Sequence, residues 1–292
     1  MSRRPATLIG FTAVLMWAVL ALLSAASGAV PPFQMAAMAF FVGGMMGAVT
    51  WPFRPGAFSS LKQDWRLWAL GIASLFGYHF MYFSAIKLAP PVEVSLIAYL
   101  WPLFLVVLSA LLPGEKLKSH HVAGTIMGLA GAVLVITQGN GLLLRDGFKA
   151  GHALALPCAF IWSGYSILAR RYGQVPTDVV AGFCLAAAAL SLVSHLIFEE
   201  TVWPRSAIEW LAILGLGLLP LGAAFYTWDY GLKHGDIMVL GASSYAAPLL
   251  STLVLVATGF AALHWSVAVA CLLITTGAIL AAKDMIFRRP VT

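Results

Sequence analysis

The chain has 292 residues, 61% of them hydrophobic and only 10% charged, against about 45–50% apolar and about 25% charged in soluble domains. With a mean hydropathy of +0.91, its natural solvent is a bilayer, and a water-soluble enzyme or regulatory domain is excluded. The net charge of +6 is not a nucleic-acid footprint, because the basic residues sit in short gaps between apolar runs and form no single patch.

A hydrocarbon core about 30 Å thick calls for about 20 apolar residues of helix. Ten runs meet this in chain order: Thr7–Ala26, Pro32–Trp51, Leu67–Ile86, Val92–Leu112 and Val122–Thr137, then Gly151–Ala169, Asp178–Phe198, Ile208–Lys233, Met238–Ala257 and Trp265–Met285. The first run follows Arg3-Arg4 and precedes Ser27-Gly28-Ala29, which imitates a secretory signal. Its length and its counterpart in the second half make it helix 1. It carries Trp17, well away from either end.

The third run holds Tyr78, His79 and Tyr82 on one face, by their spacings of three and four. A histidine in mid-helix is costly against lipid, so His79 faces protein or a polar interior. It reads either as a satisfied packing histidine or as a cavity residue that hydrogen-bonds a ligand. The fourth run adds Ser95, Tyr99, Trp101 and Pro102. Pro102 removes a backbone hydrogen bond and predicts a kink, as Pro248 does in the ninth run beside Ser243, Ser244 and Tyr245. On an ideal helix Trp101 points about 160° away from Tyr99, so both share a cavity only if that kink distorts the helix. His120-His121 is expected in the solvated gap before the fifth run.

The sixth run carries Trp162 and Tyr165, and the eighth carries Tyr226 and Asp229. An acid at that depth demands a partner, and Lys233 stands one turn on. Lys87 and Glu93 bracket the Pro90-Pro91 turn and are expected to shape it. Gly43–Gly47 and Gly124–Gly128 have the spacing of close helix packing. Trp51, Trp65, Trp68, Trp203, Trp210 and Trp265 fall near run ends, as interfacial belts require. Cys158, Cys184 and Cys271 lie inside apolar runs without metal-ligand spacing.

Of the 17 basic residues, thirteen fall on one side of a ten-span topology, together with both termini. Only Lys87, Arg145, Lys149 and Arg205 fall on the other. The positive-inside rule then predicts cytoplasmic termini.

A shift of 146 residues pairs Lys87 with Lys233, Tyr99 with Tyr245, Pro102-Leu103 with Pro248-Leu249 and Gly131-Ala132 with Gly277-Ala278. A shift of 145 pairs Trp17 with Trp162 and Trp65 with Trp210. The expected fold is thus an all-α membrane protein whose ten helices form two five-helix repeats, residues 1–138 and 139–292. An odd number of helices per repeat makes the repeats inverted, which places a site near the midplane between them. A membrane-embedded enzyme would need a reaction centre such as HExxH, GxSxG or paired aspartates, and the sequence has none.

The stretch AIKLAPPVEVSLIAYLWPLF, followed by LLPGEKL and the glycine-rich GTIMGLAGAVLVI, resembles the EamA-type drug/metabolite transporter superfamily, and within it the bacterial aromatic amino-acid exporters. The resemblance covers essentially the whole chain. It implies a ten-helix basket with a central cavity and export from the cytoplasm. The coupling glutamate that small multidrug exporters of the superfamily carry in helix 1 has no counterpart here, since helices 1 and 6 contain no acid. The expected function is export of amino acids, aromatic ones favoured, by rocking of the two halves. The alternative is a cationic-drug exporter or an importer of another metabolite. Substrate-binding residues are expected to be Trp17, Tyr78, His79, Tyr82, Tyr99, Trp101, Trp162 and Ser244. No metal, cofactor or nucleic acid is expected. The expected setting is a bacterial inner membrane, with the protein working as a monomer among lipids.

Overall fold

The computed structural model describes residues 3–54, 56–140 and 147–287. Arg145, Arg288 and Arg289, three of the basic residues that enter the topology argument, lie outside these. All the regular structure of the described residues is helical. Nine of the described helices are long and apolar enough to cross a bilayer: α1 Arg3–Ala26, α2 Pro32–Phe53, α3 Trp65–Leu88, α4 Pro91–Leu111, α5 Ser119–Ile136, α6 Ala150–Arg171, α7 Val179–Phe198, α8 Ala207–His234 and α9 Ile237–Ala257. A further apolar helix, α10 Trp265–Ala281, is shorter at 17 residues.

Local chemistry sets the helix starts. Pro32 and Pro91 open α2 and α4, where a missing N–H costs nothing. Asp64 caps α3 by accepting the Arg66 N–H at 2.7 Å. Ser206 caps α8, and Asp236 caps α9. Two helices start on Lys-x-x-His. Nδ1 of His121 accepts the Lys118 N–H at 3.2 Å, and Nδ1 of His152 accepts the Lys149 N–H at 2.9 Å. This corrects the expectation that His120-His121 is solvated loop. The pair forms the first turn of α5, and His121 is buried.

Packing follows a pattern. α2 lies along α7, α5 along α10, α1 along α8 and α3 along α6. The set of pairings is unchanged when each helix is replaced by the one five places along. The glycine spacings serve these contacts. A Cβ on Gly47 would stand 2.7 Å from the Ala181 Cβ on α7, and Gly124 packs directly on the backbone of Gly277. α2 and α7 are tied at both ends. Glu199 accepts the N–H groups of Phe33 at 3.0 Å and Gln34 at 3.1 Å at the first turn of α2, where the helix dipole favours a carboxylate. Arg54 pairs with Asp178 at 2.7 Å at the other end.

Four helices are interrupted around the centre. α3 holds a π-helical turn at Ala73–Gly77 and α8 one at Leu219–Ala223, and the two are 146 residues apart, the repeat shift. α4 breaks between Ala98 and Trp101, and α9 between Ser243 and Ala246. Both breaks precede the prolines that predicted them.

The belt expectation holds in part. Trp65, Trp210 and Trp265 are exposed on the helix surface, and Trp203 is exposed in the segment between α7 and α8. Trp51 instead is buried, in a small cluster with Ala57 and Ala181. The Trp68 indole donates to the Leu61 carbonyl at 3.2 Å and meets Phe183 edge-on. Both sit at helix ends, as belt residues do, but on faces that point into protein.

Candidate functional site

The interruptions surround a cavity of about 640 Å³. Seven of the eight expected residues line it. Tyr78, His79 and Tyr82 come from α3, Tyr99 and Trp101 from α4, Trp17 from α1 and Trp162 from α6. The break in α4 is what lets Tyr99 and Trp101 face the same space. Ser244 is elsewhere: it is fully buried, and its hydroxyl donates to the Leu240 carbonyl at 2.7 Å. It sits within the break of α9, on a side turned into protein. Tyr226 is also spent away from the cavity, donating to the Gly43 carbonyl at 2.9 Å. Sequence reasoning missed Phe83, Pro220 and Phe225 on the wall and Ser251 and Thr252 in the second half of α9. Only Phe225 had a signal in the sequence, since it stands 146 residues after His79, the repeat shift.

The lining reaches Pro32, Pro91 and Val92 at the first turns of α2 and α4 and Ile136 at the end of α5. These are the ends of helices on the face away from the N-terminal residues. The opposite end is closed in two layers. The first is a cluster of indoles: Trp17 lies 6.2 Å from Trp101, 5.9 Å from Trp162 and 5.1 Å from Trp228 between ring centroids. The second is a polar network on the face that carries both ends of the described chain. Asp229 accepts from Lys233 and from Thr177, both at 2.6 Å. Arg170 donates to the carbonyls of Leu232, Lys233 and Gly235 at the end of α8 and pairs with Glu115 at 2.9 Å. Arg3 reaches the same carboxylate.

The polar atoms of the cavity fall into two groups. Some are already engaged. The Trp17 indole N–H donates to the Pro220 carbonyl at 3.2 Å, and the Tyr82 hydroxyl bonds Oγ of Ser95 at 3.0 Å. Others have no partner among the described residues: the indole N–H of Trp101 and Trp162, the hydroxyls of Tyr78, Tyr99, Ser24, Ser251 and Thr252, and Nε2 of His79. Nδ1 of His79 lies 2.6 Å from the Leu75 carbonyl. A carbonyl only accepts, so Nδ1 carries the hydrogen and Nε2 presents a lone pair. The free set is therefore two indole donors, five hydroxyls that donate or accept, and one nitrogen that only accepts, all neutral. Among the described residues, no lysine, arginine, aspartate or glutamate is in the lining.

Glu93 points away from the cavity, and its carboxylate meets Nε2 of buried His152 at 2.6 Å, joining α4 to α6. Lys87 lies over the Phe33 ring at 5.7 Å. The two residues expected to shape one turn thus brace different elements. His120, His121 and Asp284 bring three potential metal-ligand atoms within 4.8 Å. Their chemistry is already assigned: Nδ1 of His121 is the helix cap, which leaves its hydrogen on Nε2, and Asp284 pairs with Lys118.

Comparison with known proteins adds identity to this geometry. The EamA-like transporter family matches residues 4–137 and 149–283. The aromatic amino acid exporter YddG of Ancylobacter novellus is 54% identical over 282 residues, which cover 96% of this chain and 98% of that one. The protein of the same name from Salmonella typhimurium is 25% identical over 263 residues, covering 86% and 88%. A crystal structure 53% identical to this chain superposes with a TM-score of 0.90, over 99% of this chain and 100% of that one.

Proposed function

This chain belongs to the EamA-like transporter family, and from that membership we propose that it exports amino acids, aromatic ones above all, by exposing its central cavity to each side of the membrane in turn. It is a multi-pass membrane transporter and not an enzyme, as its relatives are. The observation that carries the substrate reading is the cavity itself: aromatic walls, neutral donors and acceptors, and no charged side chain among the described residues. A zwitterion has no net charge to balance, and its two ends are met by the two kinds of group present. An aromatic side chain stacks against indole and phenol rings. A cationic drug would leave water without a counter-charge, a costly transfer that cation–π contact offsets only in part. The relative at 54% identity is named for aromatic amino acids, which favours the same choice.

The mechanism rests on two five-helix halves, residues 1–138 and 139–292, inserted in opposite senses, with both termini cytoplasmic and the monomer as the working unit in a bacterial inner membrane. The exchange symmetry of the helix pairings supports the inverted arrangement. Reporter fusions to either terminus should give the cytoplasmic signal, and a periplasmic C-terminus would contradict the ten-span topology.

Uptake into proteoliposomes tests the substrate class. Phenylalanine and tryptophan are expected to be carried, with threonine slower and a quaternary ammonium dye excluded. With no acid in α1 or lining the cavity, an imposed pH difference should change the rate little. Transport of the dye with no transport of phenylalanine would replace the amino-acid reading by its alternative.

A further inference from the structure

The two halves match in sequence but not in hydrogen bonding. Trp17 donates to the Pro220 carbonyl, which lies in the π-helical turn of α8. The repeat-equivalent of Trp17 is Trp162, and that of Pro220 is Ser74, in the π-helical turn of α3. Trp162 lines the cavity as Trp17 does, but makes no such bond among the described residues, so its N–H is free. A second pair behaves the same way. The Tyr245 hydroxyl accepts the Leu103 N–H at 3.1 Å, joining α9 to α4 across the boundary between halves. Its equivalent, Tyr99, would accept from Leu249, the counterpart of Leu103. It does not, and it too lines the cavity.

In each pair, then, one member is spent on holding the halves together and the other is free. Both free members face the same cavity, although they sit on different helices. If the halves trade conformations, each bond broken on one side is remade at its equivalent, so the exchange costs little net hydrogen bonding. The donors available to a ligand are exchanged at the same time.

We infer that the Trp162 indole N–H and the Tyr99 hydroxyl bind the carboxylate of the transported amino acid in this conformation, and that Trp17 and Tyr245 are released to take over when the protein faces the other way. The inference rests on the amino-acid, alternating-access reading above. A carboxylate offers acceptors only, which is what an indole N–H and a phenol O–H need. The Nε2 lone pair of His79 is the matching acceptor for the ammonium end.

Two measurements test it on the full-length protein. The first compares binding of L-phenylalanine and 2-phenylethylamine, which keeps the ring and the ammonium and has no acceptor in place of the carboxylate. Trp162→Phe and Tyr99→Phe keep the rings and remove the donors. Each should weaken phenylalanine binding roughly tenfold, the scale of one hydrogen bond to a charged group, and leave binding of the amine nearly unchanged. Equal losses for both ligands, or none, overturn the carboxylate assignment. The second measures maleimide labelling of Thr252→Cys, in the cavity wall, with exposed Cys271 replaced by serine. Trp17→Phe removes a bond of this conformation and should slow labelling several-fold. Trp162→Phe removes a bond of the opposite conformation and should speed it. Shifts in the same direction, or no shift, overturn the exchange. A parent protein that binds neither ligand overturns the amino-acid reading itself, and that failure is distinct because it precedes any substitution.

Discussion

Asp229→Ala is expected to lower folded-state stability by about 3–5 kcal/mol, the usual cost of removing one partner from a buried ion pair. Asp229 and Lys233 are 2% and 8% exposed, so neither charge has access to bulk water. The carboxylate takes hydrogen bonds from Lys233 and Thr177 at 2.6 Å each, with the Tyr165 hydroxyl at 3.5 Å. Without it, the ammonium of Lys233 keeps only the Val175 carbonyl at 2.9 Å. The loss should appear as a lower thermal unfolding midpoint in detergent and a smaller monodisperse fraction. Replacing both charges, Asp229→Ala with Lys233→Met, should recover most of it, because the penalty belongs to the unpaired charge and not to the missing bond. A single variant that melts with the parent would show that the pair is hydrated and contributes little.

His79→Ala and Tyr99→Ala should each slow phenylalanine transport several-fold or more while the protein reaches the membrane at the parent level. His79 presents a nitrogen lone pair that can only accept, on a ring fixed by the Leu75 carbonyl and by edge-on contact with Phe40 at 5.1 Å. Tyr99 offers a hydroxyl from the break in α4. Leaving a buried polar group of the substrate unmatched costs about 1–3 kcal/mol, which is several-fold to more than a hundredfold in affinity. Trp203→Ala is the control. That ring is 62% exposed in the segment between α7 and α8, and its loss should leave transport nearly intact. If both cavity variants transport like the parent, the substrate is held by other residues.

The sequence made some of this legible because bilayer chemistry is coarse. Spans can be read from composition, since every backbone group in hydrocarbon must be satisfied by helix. The interruptions of α4 and α9 could be read from Pro102 and Pro248, and the clustering of Tyr78, His79 and Tyr82 from helical period. The π-helical turns could not. Ala73–Gly77 carries no proline, and only the fold shows that a widened turn there brings His79 onto the Leu75 carbonyl. Ser244 and Tyr245 show the other limit. They are adjacent in a broken helix, where period no longer assigns faces, and both turn out to be spent on protein. Trp51 and Trp68 fail as belt residues for a related reason: position along a helix gives depth in the membrane, but not which side of the helix meets lipid.

The absence of charge from the cavity wall has an energetic consequence for the cell. A membrane potential acts on net charge alone, at about 2.3 kcal/mol per elementary charge for each 100 mV. A zwitterion carried between neutral walls moves no net charge. The ion pairs near the chain termini, Lys233 with Asp229 and Arg170 with Glu115, are displaced as neutral units if they are displaced at all. On the amino-acid reading proposed above, transport through this site is expected to be electroneutral, so that an imposed membrane potential leaves its rate in proteoliposomes unchanged and the amino-acid gradient sets its direction.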